Sequence, residues 1–285
     1  MRQSPIRILV GLAALCLLAV APAEAAIHYQ ALTTVEAEGQ KPQRTQVEGW
    51  VDGGNAKVVF AEAGVPTFQK GQYLLTGDGG ETLYLVDPKE KTYAQWDLEA
   101  MFQALGAIMQ SIQPLVNLTI DNVEVTQLAS QPGDAVHGLP TTYHKHRMSY
   151  DMAIKVFGMS RANRVETVQE TWSTGELSDL GLGVWLRNVP TTGFGDLDEL
   201  IEAEMSTVSG FPLKSVGVTT TTGQKGKQTT STTRMEVTSL DRSASIPAST
   251  FELPAGYTRI DSPSAAGSGE DDEPANPLRG IFGGG

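Results

Sequence analysis

The chain has 285 residues, a formal net charge of −12, four histidines and one cysteine. That charge argues against nucleic acid as a partner, because neutralising phosphates takes clustered cations. Cys16 is the one cysteine and lies in an N-terminal apolar run, so beyond that run there is no thiol for a disulfide, a thiolate metal site or a cysteine nucleophile.

Residues 1–25 read as a secretory signal peptide. Arg2 and Arg7 form a basic start, Ile8 to Val20 an apolar core, and Ala23-Glu24-Ala25 a small-x-small cleavage site. Cleavage after Ala25 is expected to give a periplasmic or secreted protein with no stable membrane anchor, since no cysteine stands at the boundary to take a lipid. Residues 26–261 are expected to form a single domain.

Period-2 patterns then dominate. HYQALTTVEA (28–37), QRTQVEGWV (43–51) and NAKVVFAEA (55–63) predict consecutive antiparallel strands separated by Gly, Pro and Asp-Gly-Gly signals. QYLLTGDGGETLYLVDPKEKTYAQWD continues the meander, with Gly77 to Gly80 at one turn and Asp87-Pro88-Lys89-Glu90 suited to a type I turn at the next. A helix follows, with Asp97 as N-cap and Pro114 beyond its end; Met101, Phe102, Leu105, Ile108, Met109 and Ile112 recur at helical spacing. Strands are predicted at about 115–129, 139–157, 164–174 and 183–188. A second, amphipathic helix over 195–209 places Leu197, Leu200, Ile201, Met205 and Val208 on one face, with Asp198, Glu199, Glu202 and Glu204 elsewhere. A Thr-rich hairpin from Leu213 to Leu240 turns at Gly223-Gln224-Lys225-Gly226. From Ser262 the Pro, Gly, Ser and acidic composition predicts a disordered tail over 262–285.

Residues able to carry chemistry are few. His144 and His146 lie two apart on one strand and share a face, the spacing of a metal chelate, but two ligands do not make a site and nothing requires His137 or Asp134 to complete it. No metal or other cofactor is expected. There is no Gly-x-Ser-x-Gly elbow, and no Gly-rich phosphate loop precedes a helix. The pairs Asp196/Asp198 and Glu202/Glu204 read as a solvated helix face. No enzyme activity is expected.

The order of elements, with the Tyr84-to-Tyr93 hairpin around Asp87-Pro88, Gly210-Phe211-Pro212-Leu213, Ile246-Pro247 and Phe251-Glu252-Leu253-Pro254-Ala255-Gly256-Tyr257, resembles an exported bacterial family of unknown function whose fold is similar to the LolA/LolB lipoprotein carriers. The resemblance implies an α+β, mainly β fold, in which a curved antiparallel sheet forms an unclosed half-barrel and helices cover its concave face. It also implies a soluble binding protein of the cell envelope, a carrier, chaperone or sensor that shields a lipid or other hydrophobic molecule. The candidate ligand residues are then Met101, Phe102, Leu105, Ile108 and Met109 on the first helix and Leu197, Leu200, Ile201 and Met205 on the second, methionine being flexible enough to fit an irregular apolar ligand. The alternative is an envelope protein-interaction module with a closed core, engaging a protein partner through its tail or a sheet edge.

Overall fold

A computed structural model of the chain describes residues 26–64, 68–80, 82–96, 98–112, 116–156, 159–180, 191–207 and 210–260. The predicted leader, the strand near 183–188, the Asp97 cap and the tail lie outside the described residues.

Among the described residues, twelve strands form one unclosed, curved sheet. In chain order they are β1 (Ile27–Ala37), β2 (Gln43–Asp52), β3 (Asn55–Glu62), β4 (Tyr73–Thr76), β5 (Leu83–Asp87), β6 (Thr92–Trp96), β7 (Val116–Val136), β8 (Leu139–Val156), β9 (Met159–Thr174), β10 (Phe211–Thr222), β11 (Gln228–Asp241) and β12 (Thr258–Ile260). Their spatial order is β12-β6-β5-β4-β3-β2-β1-β11-β10-β9-β8-β7, so β12 and β7 are the two edges. All neighbours are antiparallel except β12, which pairs parallel with β6. Two helices, α1 (Leu98–Ile112) and α2 (Gly195–Met205), interrupt the strands.

The turns follow from local chemistry. Gly53 and Gly54 form the two-residue loop between the paired Asp52 and Asn55, with Gly53 at φ +55°. Between β4 and β5, the Asp78 carboxylate accepts from Thr76 Oγ1 and the Thr82 N–H, and Thr76 Oγ1 accepts from the Gly80 N–H. Asp87 accepts from the N–H groups of Lys89 and Glu90 and so holds the β5–β6 turn. His137 and Gly138, both at positive φ, close the β7–β8 hairpin.

Three expectations need correction. The strand predicted to end near 129 runs to Val136, because Pro132 and Gly133 stay in register opposite Thr142 and Thr141 and the pairing resumes at Val136 after a shift. The second helix stops at Met205, four residues early, where Ser206 and Thr207 turn their hydroxyls back to the carbonyls of Ala203 and Glu204. Asp196 and Asp198, read as solvated, each accept a backbone N–H, from Ile120 and Thr192 respectively.

Side-chain alternation divides the sheet into two faces. On one, Ile27, Val51, Ala56, Leu213 and Val237 pack with Leu139, Phe211 and Leu177 into the main core. On the other, Tyr73, Leu75 and Val86 make a smaller core, covered by Phe251, Leu253 and Tyr257 from the segment returning to β12. The hairpin carrying Tyr84, Val86 and Tyr93 therefore builds the wall opposite the main core and serves as scaffold.

Gly49 shows how tightly the main core is fitted. Tyr29 lies against Phe211 edge-on at 5.8 Å, and burial pushes its phenol up to about 12. A Cβ on Gly49 would run into the Tyr29 ring. Gly49→Val is expected to displace that ring and cost about 1–3 kcal/mol, as overpacked cores do. The check is a lower urea midpoint at unchanged slope; an unmoved midpoint would mean that the ring has room to turn aside.

Candidate functional site

α2 sits on the main-core face of the sheet. α2 is fastened to the sheet by Asp196 Oδ2, which accepts the Ile120 N–H of β7 at 3.2 Å. Its start is organised by Asp198, whose carboxylate accepts from the Thr192 N–H at 2.6 Å, the Thr192 hydroxyl at 2.7 Å and the Gly193 N–H at 3.0 Å. Burial alone would raise the Asp198 carboxyl, but these hydrogen bonds outweigh it and hold the group below the usual carboxylate range. α1 rests on the same turn. Its buried Gly106 leaves no space for a Cβ beside the Thr192 carbonyl, and Gln110 donates to the Gly193 carbonyl at 3.2 Å.

Beyond the C-terminal end of α2, a cleft of about 320 Å³ opens between the helix and the sheet. Its floor spans four strands, from His146 and Met148 on β8 through Thr167, Gln169 and Thr171 on β9 and Pro212 and Ser215 on β10 to Met235 on β11. Glu204 and Thr207 form its roof. The register explains the assembly: Met148 pairs with Thr167, His146 with Gln169, and Ser215 with both Thr171 and Met235, so all point to one face. Gly217, paired with Gln169, has no side chain and lets the Gln169 amide lie across it.

Two ionisable groups share the cleft. Burial, and then the neighbouring His144, push the His146 imidazole below its ordinary value. Glu204 approaches Tyr150 closely enough that burial and then the carboxylate's charge push that phenol up. The cations of the surrounding strands point the other way. Lys145 pairs with Glu170 at 2.8 Å, Arg147 with Glu166 at 3.8 Å and Arg164 with Asp151 at 3.2 Å, while Lys214 lies 4.7 Å above the Trp172 ring.

Of the nine ligand candidates, the five whose side chains are described, Phe102, Leu197, Leu200, Ile201 and Met205, are not among the cleft's wall residues. Leu197, Leu200, Ile201, Met205 and Phe102 are half-buried, and the side chains of Met101, Leu105, Ile108 and Met109 lie outside those described. The two strand histidines stack with ring centroids 6.1 Å apart, and His144 Nδ1 is 3.3 Å from Ser130 Oγ. His137 is elsewhere, with Nε2 2.6 Å from the Val237 carbonyl oxygen. Among the described residues no group of three His, Cys, Asp or Glu side chains is placed to hold a metal. Sequence reasoning weighed the helix faces and did not single out the cleft floor. Its signal was the alternation in TTYHKHRMSY, which puts His144, His146 and Met148 on one face and Lys145 and Arg147 on the other.

No protein-family profile matches the chain, and no curated protein matches it. Among solved structures it is similar to a LolA-superfamily protein from Nitrosomonas europaea, at 10% identity and TM-score 0.30, over 80% of this chain and 90% of that one. An uncharacterised conserved protein from Thermus thermophilus matches at 8% identity and TM-score 0.32, over 82% and 91%. A DUF1329-family protein from Desulfovibrio piger matches at 9% identity and TM-score 0.32, over 81% and 91%. The fold of this chain rests on its own strand order: a single unclosed antiparallel sheet of mainly β character, with α2 on one face.

Proposed function

We propose that the protein is an exported binding protein that shelters a hydrophobic or amphiphilic molecule in the α2 cleft, without covalent chemistry. The observation that carries this reading is the cleft itself, floored by Met148, Pro212 and Met235 together with Thr167 and Thr171, and roofed by a helix end. Its volume falls at the lower end of the about 300–1,000 Å³ of small-molecule sites, enough to seat a chain or ring but not a whole two-chain lipid. Binding would draw on burial of apolar area, roughly 25 cal/mol per Å² before the costs of ordering are subtracted. Methionine side chains suit such a floor because they repack around irregular shapes.

The same reading takes residues 1–25 as an export leader, which places the protein in the periplasm or outside the cell. No helix among the described residues is long and apolar enough to cross a membrane.

Filling the cleft tests the proposal. Ser215→Trp, set centrally on the floor, is expected to weaken binding of the neutral probe N-phenyl-1-naphthylamine at least about tenfold, a loss of roughly 1.4 kcal/mol. The thermal unfolding midpoint should stay close to that of the parent. Undiminished probe binding by a folded Ser215→Trp protein would remove the cleft as the site.

A further inference from the structure

We infer that the molecule held in the α2 cleft is a cationic amphiphile, an aliphatic chain ending in a protonated amine or a quaternary ammonium. This rests on the reading of the cleft as an apolar-ligand site and adds the sign of the headgroup. Among the described residues, Glu204 is the one Asp, Glu, Lys or Arg in the cleft's wall. Glu204 is an exposed residue of the cleft's roof, and its charge, after burial, helps push the Tyr150 phenol up. The remaining titratable wall group, His146, is held toward its uncharged form by burial and by His144 beside it, so it offers an anion no positive charge at neutral pH.

The cations nearby are engaged elsewhere. Lys145, Arg147 and Arg164 alternate to the opposite face and pair there with Glu170, Glu166 and Asp151, and Arg234 on β11 pairs with Glu36 at 2.7 Å. A carboxylate or phosphate headgroup in the cleft would therefore face Glu204 without a counter-charge, on a chain of net charge −12. An ammonium would pair with Glu204 while its chain lay along Met148, Pro212 and Met235.

The test is a calorimetric titration of the full protein at neutral pH with three ligands of equal chain length: dodecylamine, dodecanol and dodecanoate, each kept below its micelle concentration. The parent is expected to bind dodecylamine at least about tenfold more tightly than dodecanoate, the ratio that roughly 1.4 kcal/mol gives. Glu204→Gln should bring the two within about twofold and leave dodecanol unchanged, whereas Glu202→Gln, which removes the same charge from the same helix outside the cleft's wall, should preserve the preference. Equal binding of amine and carboxylate by the parent, or a preference that survives Glu204→Gln, would overturn the inference while leaving the cleft reading intact if dodecanol binds. Failure of all three ligands to bind would overturn the cleft reading together with the inference.

Discussion

Leu213→Ala is expected to destabilise the protein by about 2–5 kcal/mol, the range for truncating a fully buried leucine in a core that cannot collapse around the gap. Leu213 is 0% exposed and packs among Ile27, Leu139, Phe211 and Val237. That cluster is where the two halves of the chain meet, since β1 from the N-terminal meander pairs with β11 from the last hairpin. A cavity there should lower the unfolding midpoint of the sheet as one cooperative unit. Leu128→Ala is the internal comparison: Leu128 lies on edge strand β7 and is 40% exposed, so its loss should change stability by no more than about 0.5 kcal/mol. Equal costs for the two variants in urea denaturation would show that the 213 cluster does not join the halves.

The second large effect concerns the helical cover. Asp198→Ala would remove the acceptor for three donors at Thr192 and Gly193, the turn on which α1 also rests. Hydrogen bonds to a charged acceptor are worth about 1.5–3 kcal/mol when buried; this carboxylate is half in water, so about 1–2 kcal/mol is expected, confined to the cover. Amide exchange should rise in residues 191–205 and in α1 while the sheet amides keep their protection. Uniform protection in the variant would mean that packing alone holds the helices.

Acid should reproduce this loosening. The folded pKa of Asp198 is depressed, so its contribution is fully present above the ordinary carboxylate value and is lost as pH falls through the lower folded value. Asp87 has the same sign. Burial raises it, but the Gln72 side chain, the N–H groups of Glu90 and Lys89 and the Lys89 charge together outweigh that, so the β5–β6 turn should weaken over the same acid window.

Strands and turns were the most legible part of the sequence because both are written locally. Alternation in HYQALTTVEA and glycine at Gly53 need no distant information, and β1 to β3 fall where the pattern put them. The strand order was not legible from pattern. That β1 lies beside β11, and that β12 pairs parallel with β6, depends on contacts across more than 150 residues. The cleft was hidden for a related reason. Met148, Ser215 and Met235 sit on three strands and become neighbours only once β8, β9, β10 and β11 are in register. Asp198 read as a solvated acid because helical spacing says nothing about a threonine six residues upstream that turns back onto it.

The outer edge of β7 carries one more consequence, for how the molecule behaves in a crowd of its own copies. An open sheet must end in a strand whose outward N–H and C=O groups could template another chain, and this one is twenty-one residues long. Its pairing with β8 shifts between Asp121 and Glu124, between Gln127 and Ala129 and between Gly133 and Val136, with Asn122 at φ +56° and Pro132 lacking an N–H. The longest regular stretch is therefore Val116 to Asp121, and within it the Ile120 N–H is already taken by Asp196 of α2. The irregularities that interrupt the β7 register thus work against strand-to-strand addition of another copy along the open side.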